Sequence, residues 1–285
     1  MTEPRFFCSE LSRSEQEPLG ATASRVDHWP LVEYRGLWGP NAFRSSGLSD
    51  QVKRSLREQV RARPRTRLLF VRRPDRRGWP ALRAYAATSV VGEESLRCHS
   101  FEDYEELRTL DLVGSGEAIG HPLLLVCTHG KHDQCCALHG RPLFEALAEQ
   151  VEEEWVWQTT HIGGDRFAGN VVCLPHGLYY GRVERGGAIT LLEEHLADRI
   201  DLDHYRGRSV HTFAEQAAER AVREDTAARG IDSVRLVRHD GERIAFSVDG
   251  AVHERIVVEE RGEPRRLTCN AQEERRPPRY RVSAA

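Results

Sequence analysis

A short apolar run, His121-Pro-Leu-Leu-Leu-Val-Cys127, comes after Gly120 and breaks directly into Cys127-Thr-His-Gly-Lys-His-Asp-Gln-Cys-Cys-Ala-Leu-His139. The run has the length and composition of a buried strand. The segment at its end places six sulfur or imidazole donors (Cys127, His129, His132, Cys135, Cys136, His139) within thirteen residues. Thiolates and imidazoles are the ligands that zinc, copper and iron–sulfur clusters recruit. A cysteine at a strand end also lies near backbone donors that favour its thiolate.

The pattern recurs one strand later. Trp155-Val-Trp-Gln-Thr-Thr160 reads as a strand and opens into His161-Ile-Gly-Gly-Asp165. The two glycines suggest a tight backbone that a large metal centre can approach. Between the strands, Pro142 marks the first turn of a helix, with Phe144, Leu147, Ala148 and Val151 as its apolar stripe. Asn170–Leu174 and Leu178–Val183 come next as a hairpin around Pro175-His-Gly177, and a helix runs through Leu191, Leu192, His195 and Leu196. The order β-α-β-β-β-α is that of a thioredoxin-like sheet. If its first two strands lie side by side and parallel, both donor-rich loops leave the same end of the sheet.

Three divisions are expected: residues 1–118, read as a second, degenerate thioredoxin-like unit; 119–205, the thioredoxin-like unit with the donor-rich loops; and 206–285, a small α+β segment. In the first, Leu31–Arg35 and Arg67–Arg72 read as strands, the second bounded by Pro74. Between them Asp50 is placed to cap a helix carrying Val52, Leu56 and Val60. In the last, Thr212-Phe-Ala-Glu215 is a capping box, Asp240-Gly241 and Asp249-Gly250 are hairpin turns, and the arginine- and proline-rich stretch 275–281 is expected to run over the surface.

Charge and cysteine usage narrow the class. Basic and acidic residues nearly balance (41 − 44 = −3), and 39 of the 41 bases are arginine (41 − 2, Lys53 and Lys131). A nucleic-acid partner is therefore not expected. Twelve bases fall between Lys53 and Arg83 against Glu58 and Asp75, a candidate docking face for an acidic redox partner. The seven cysteines are odd in number and irregularly spaced, which argues against a disulfide framework. No apolar run reaches the roughly 18–20 residues of a membrane helix, and Met1–Cys8 lacks a signal-peptide pattern, so a cytoplasmic protein is expected.

The pattern Cys127-x-His-x3-Asp-x2-Cys136, His161-Ile-Gly-Gly, Phe167-Ala-Gly-Asn-Val and Leu178-Tyr-Tyr-Gly-Arg-Val183 resembles the sucrase/ferredoxin-like family. The resemblance is dense over about 120–200 and looser near Cys8-Ser-Glu-Leu-Ser and Leu267-Thr-Cys-Asn270. It implies a thioredoxin-fold electron carrier, not an enzyme in its own right, with a 2Fe-2S cluster and a redox partner protein. The cysteine pair of the family maps onto Cys127 and Cys136, and the first histidine of its His-x-Gly-Gly-His motif onto His161. Asp165 stands where the second histidine would be. The implied ligands are thus Cys127, Cys136, His161 and Asp165, with Cys135, Cys173 and Cys269 open as substitutes for the last. Two other readings remain: a zinc site using Cys127, Cys136 and two first-loop histidines, and a thioredoxin-fold interaction module without metal or cluster. A thiol-disulfide enzyme is disfavoured, because there is no Cys-x-x-Cys motif.

Overall fold

The computed structural model describes residues 5–73 and 80–285, so Met1–Pro4 and the expected strand boundary at Pro74, with Asp75, Arg76 and Arg77, lie outside the described residues. The chain begins with a short helix, α1 (Cys8–Ser14), then β1 (His28–Glu33), α2 (Asp50–Ala62), β2 (Leu69–Arg72), β3 (Leu82–Thr88), β4 (Ser95–Phe101) and β5 (Glu117–Ala118). It continues through β6 (Leu123–Cys127), α3 (Gln134–Ala148), β7 (Val156–Thr159), β8 (Val171–Leu174), β9 (Leu178–Tyr180), α4 (Ala188–Leu196) and β10 (Tyr205–Arg208). Last come α5 (Phe213–Thr226), β11 (Val234–Asp240), β12 (Arg243–Val248), β13 (Ala251–Arg261) and β14 (Pro278–Ala284).

Among the described residues, ten strands form one sheet in the order β10-β9-β8-β6-β7-β2-β1-β3-β4-β5. The order contains the same unit twice. β6 is parallel to β7 and antiparallel to β8, which is antiparallel to β9. β1 is likewise parallel to β2 and antiparallel to β3, which is antiparallel to β4. Each parallel pair is bridged by one helix, α3 or α2, as a parallel connection requires. This is the thioredoxin-like strand order, and the two copies join edge to edge where β2 pairs antiparallel with β7 at Val71 and Thr159. β3 and β4 had no counterpart in the sequence reading. β10 lies at the expected division near residue 205 and is part of the shared sheet.

Several local expectations shift. Ser49, not Asp50, caps α2: its side chain accepts the Val52 amide at 3.2 Å, and Asp50 opens the first turn, where its charge suits the helix N-terminus. Val52 and Leu56 then pack under the sheet with Phe70 and Tyr34. α3 starts eight residues before Pro142, because Asp133 is an N-cap whose carboxylate accepts the Cys135 amide at 2.9 Å. Pro142 is inside the helix and removes one intrahelical bond, that to the carbonyl of Leu138, a residue on the exposed face. Cys135, Cys136 and His139 are therefore helical rather than in a loop.

α5 carries the capping box as read and packs on the second sheet, ordered β11-β12-β13-β14, through Ala217, Ala218 and Val222 against Ile244, Phe246 and Val257. The stretch expected to lie over the surface is largely exposed, and its end supplies the edge strand β14, paired with β13 from Pro278 to Ala284. Pro278 is tolerated because it is the first residue of an edge strand. The twelve bases from Lys53 to Arg83 do not make one face. Arg73 is buried against Glu33 at 3.1 Å, Arg67 donates into the 161–162 backbone, Arg83 pairs with Glu154, and Arg76 and Arg77 lie outside the described residues.

Candidate metal centre

The parallel register Cys127↔Thr159 levels the C-terminal ends of β6 and β7, so the segments that leave them emerge together. Cys127 is the last residue of β6. Cys136 lies in the first turn of α3, which packs so tightly on β6 that a Cβ on Gly140 would come within 2.0 Å of the Cys127 carbonyl. His161 is two residues beyond β7, and Asp165 opens a 3-10 turn ending at Phe167.

These residues converge. Ligand atoms of Cys127, Cys136 and His161 lie within 4.8 Å of one another. The Asp165 carboxylate bridges two of them: Oδ1 is 2.8 Å from His161 Nδ1 and accepts from Cys136 Sγ at 3.2 Å. Both cysteines and Asp165 are buried, whereas the His161 side chain is 22% exposed.

The glycines between His161 and Asp165 serve the turn rather than the approach of a metal. Gly163 and Gly164 have φ of +103° and +81°, a left-handed backbone that brings the two side chains back onto the same side. A Cβ at Gly164 would strike the Arg206 guanidinium at 2.4 Å. That arginine, fully buried on β10, donates to the Gly163 carbonyl at 3.0 Å and to Asn170 Oδ1 at 2.8 Å. Arg67 reaches from the other half of the sheet to the carbonyls of His161 (2.7 Å) and Ile162 (2.9 Å). Two arginines thus hold the loop by its backbone, a role the sequence reading missed, since neither stands near the motif in the chain.

Electrostatics favour a charged donor set. The adjoining Cys136 holds the Cys127 pKa well below the ordinary thiol value; burial opposes this, and the His161 ring adds to it. Cys136 is pushed up in turn by Cys127 and by burial. Burial alone would lower the His161 pKa, but Asp165 and Cys127 hold it up at about 9. Metal binding would take the place of these protons.

A family model described as sucrase/ferredoxin-like matches residues 21–207, more than half of the chain. The chain belongs to the sucrase/ferredoxin-like family. Over 142 residues it is 35% identical to "Altered inheritance of mitochondria protein 32" of Meyerozyma guilliermondii, a stretch covering 44% of this chain and 50% of that protein. The chain therefore spans about half the length of that curated relative. Among solved structures, the thioredoxin-like [2Fe-2S] ferredoxin of Aquifex aeolicus is similar at 19% identity, covering 33% of this chain and 97% of that one, with a TM-score of 0.30. A second structure of it, the wild type at 1.5 Å, gives 22% identity, coverage of 28% and 88%, and a TM-score of 0.25.

Within this sucrase/ferredoxin-like chain the remaining candidates sort cleanly. Cys173 packs with Leu124, Leu178 and Tyr180 in a core cluster that holds neither Cys127 nor Cys136. Cys135 and Cys269 meet Cys8 elsewhere. His129 is committed to structure: Nε2 lies 2.8 Å from the Gly39 carbonyl, so it carries the proton, and Nδ1 accepts the His161 amide at 3.3 Å. His139 points to Ser9. The zinc set with two first-loop histidines therefore does not assemble. His132, the remaining first-loop donor, stacks on His161 at 3.9 Å between centroids with Nε2 3.8 Å from Asp165. No helix among the described residues is long and apolar enough to cross a membrane.

Proposed function

We propose that this chain is a one-electron carrier whose 2Fe-2S cluster is held by Cys127, Cys136, His161 and Asp165. The observation that supports it is the convergence of two thiols, an imidazole and a carboxylate at the level ends of two parallel strands. The number and type of donors fit such a cluster, which needs four, and mixed sulfur and imidazole ligation is known for 2Fe-2S centres. The bound cluster supplies a site that gains and loses single electrons. The chain's own residues do the rest. Cys127 and Cys136 keep the sulfur side dry, Arg67 and Arg206 fix the loop that presents His161, and the exposed edge of His161 is the route to a partner protein. With two thiolates, a neutral imidazole and a carboxylate, an oxidised core of charge +2 carries −1, between the −2 of an all-thiolate site and the 0 of a two-histidine site. A cytoplasmic setting and a reductase and acceptor that are themselves proteins belong to this reading.

Anaerobic purification with iron and sulfide analysis tests it, together with an electron paramagnetic resonance spectrum of the reduced form. About two irons and two sulfides per chain and a spin-half signal support it. A second reading rests on the 4.8 Å spacing of Cys127, Cys136 and His161, which also suits one tetrahedral zinc ion. A colourless protein with zinc lost in Cys127→Ser would favour that reading and overturn the first.

A further inference from the structure

On the other side of the first turn of α3, Cys135 faces away from the Cys127–His161 site and meets two cysteines from the ends of the chain. Sγ–Sγ distances are 3.8 Å for Cys8–Cys135, 3.3 Å for Cys135–Cys269 and 3.5 Å for Cys269–Cys8. Four donors around one zinc ion, with Zn–S near 2.3 Å and tetrahedral angles, put sulfur atoms about 3.8 Å apart. Asp133 completes the group: both carboxylate oxygens lie 3.8 Å from Cys8 Sγ, and ligand atoms of the four residues fall within 4.8 Å. We propose that Cys8, Cys135, Cys269 and Asp133 form a second metal site, taking a Zn²⁺ ion that staples the two ends of the chain to the start of α3.

Three features carry this beyond proximity. Non-thiol donors already point at the sulfurs: the Cys8 amide donates to Cys269 Sγ at 3.4 Å, and the Ser9 hydroxyl to Cys135 Sγ at 3.2 Å. Such bonds suit thiolates, whose charge they offset. Asp133 is oriented for the task, since Oδ1 accepts the Cys135 amide at 2.9 Å and Oδ2 the Cys269 amide at 2.7 Å. The site also sits on the N-terminus of a fifteen-residue helix, where the backbone dipole favours negative charge. Three thiolates with a carboxylate match zinc better than copper(I), which prefers sulfur alone. A structural disulfide would use two of the three thiols and leave the third buried beside it. On binding, the thiol protons leave to solvent and no electron changes hands. Two of the ligands, Cys8 and Cys269, lie outside residues 21–207, so the proposal does not rest on the family match or on the cluster.

The test uses full-length protein and measures zinc and iron separately. About one zinc per chain is expected. Cys8→Ser and Cys269→Ser should reduce it to near zero with iron unchanged, and Cys127→Ser should do the reverse. Cobalt(II) added to zinc-stripped protein should give a thiolate-to-metal charge-transfer band that Cys269→Ser removes. If the variants do not fold, chelation of the wild type decides: peptide mapping should find Cys8 and Cys269 alkylated only after zinc is removed. Zinc that persists in Cys269→Ser, loss of iron in Cys269→Ser, a Cys135–Cys269 disulfide in freshly isolated protein, or cysteines alkylated equally with and without chelator would each overturn the proposal.

Discussion

Glu33 and Cys127 occupy the same place in the two halves of one sheet, the end of the strand that starts each parallel pair. Beyond their partners β2 and β7 stand Arg73 and His161. In the first half the two strand ends are closed by a buried ion pair, Arg73 Nη2 to Glu33 Oε2 at 3.1 Å, with Glu33 also accepting the Arg83 amide at 2.9 Å. In the second half the same ends offer thiol, imidazole and carboxylate. The topology makes strand ends converge in both halves, and residue chemistry decides whether the meeting point is a structural ion pair or a group of donors that could hold a metal. The halves differ again at their last connection. The second has α4 packed on it, and the first has a 3-10 turn at Tyr104–Arg108.

The largest expected difference is in metal. Cys127→Ser or Cys136→Ser should remove bound iron and sulfide almost entirely, whereas Cys98→Ser, on β4 of the first half, should leave both unchanged. Iron retained in Cys127→Ser would break the contrast between the halves.

Next is stability. Among the described residues, Glu33→Ala takes away the carboxylate 3.1 Å from Arg73 and leaves Glu154 at 3.9 Å. Removing one partner of a buried ion pair costs about 3–5 kcal/mol. Urea unfolding should show a loss of that order with no change in iron per folded chain. A loss well under 1 kcal/mol would mean that this pair does not close the first half.

A pH response should belong to the half with α4. His195 lies buried on that helix, its pKa lowered from 6.5 to about 4 by burial and then by His176. It stays neutral in the folded chain where the unfolded chain already takes up a proton. The stability it contributes above pH 6.5 is thus lost as pH falls toward 4, about 3 kcal/mol over the interval. His195→Leu should flatten the acid side of the stability profile there. An unchanged slope would remove His195 as its source.

The smallest effect sharpens the ligand set. Asp165→His restores two imidazoles, raises the core charge from −1 to 0, and should raise the reduction potential by about 100 mV, or about 2 kcal/mol for one electron. Asp165→Ala should give a labile cluster. A spectrum and potential unchanged in Asp165→Ala would remove Asp165 from the ligands.

How much of this is legible in the chain depends on distance along it. That the segments after β6 and β7 are rich in donors and leave the same end of the sheet is legible, because each follows a strand directly and the parallel pairing of two neighbouring strands is a local inference; the choice of Cys127, Cys136, His161 and Asp165 among those donors comes from the family resemblance. The Thr212 capping box and the Asp-Gly hairpins are legible for the same reason: their signals lie within four residues. The start of α3 is misplaced by sequence because Pro142 is a strong local mark, while the Asp133 cap derives its force from a helix already packed on β6 through Gly140.

What only the tertiary structure decided involves partners far apart in sequence. Arg206 under Gly164, Arg67 on the His161 carbonyl, β14 beside β13 and Cys8 against Cys135 and Cys269 leave no periodic or spacing signal, since each depends on loops of very different length closing on one point. Sequence by itself set which residues can bind metal and the strands and helices whose signals are local, though not β3, β4, β14 or the start of α3. The folded chain decided which of those residues meet, because convergence is a property of strand register and of buried polar partners that no local pattern encodes.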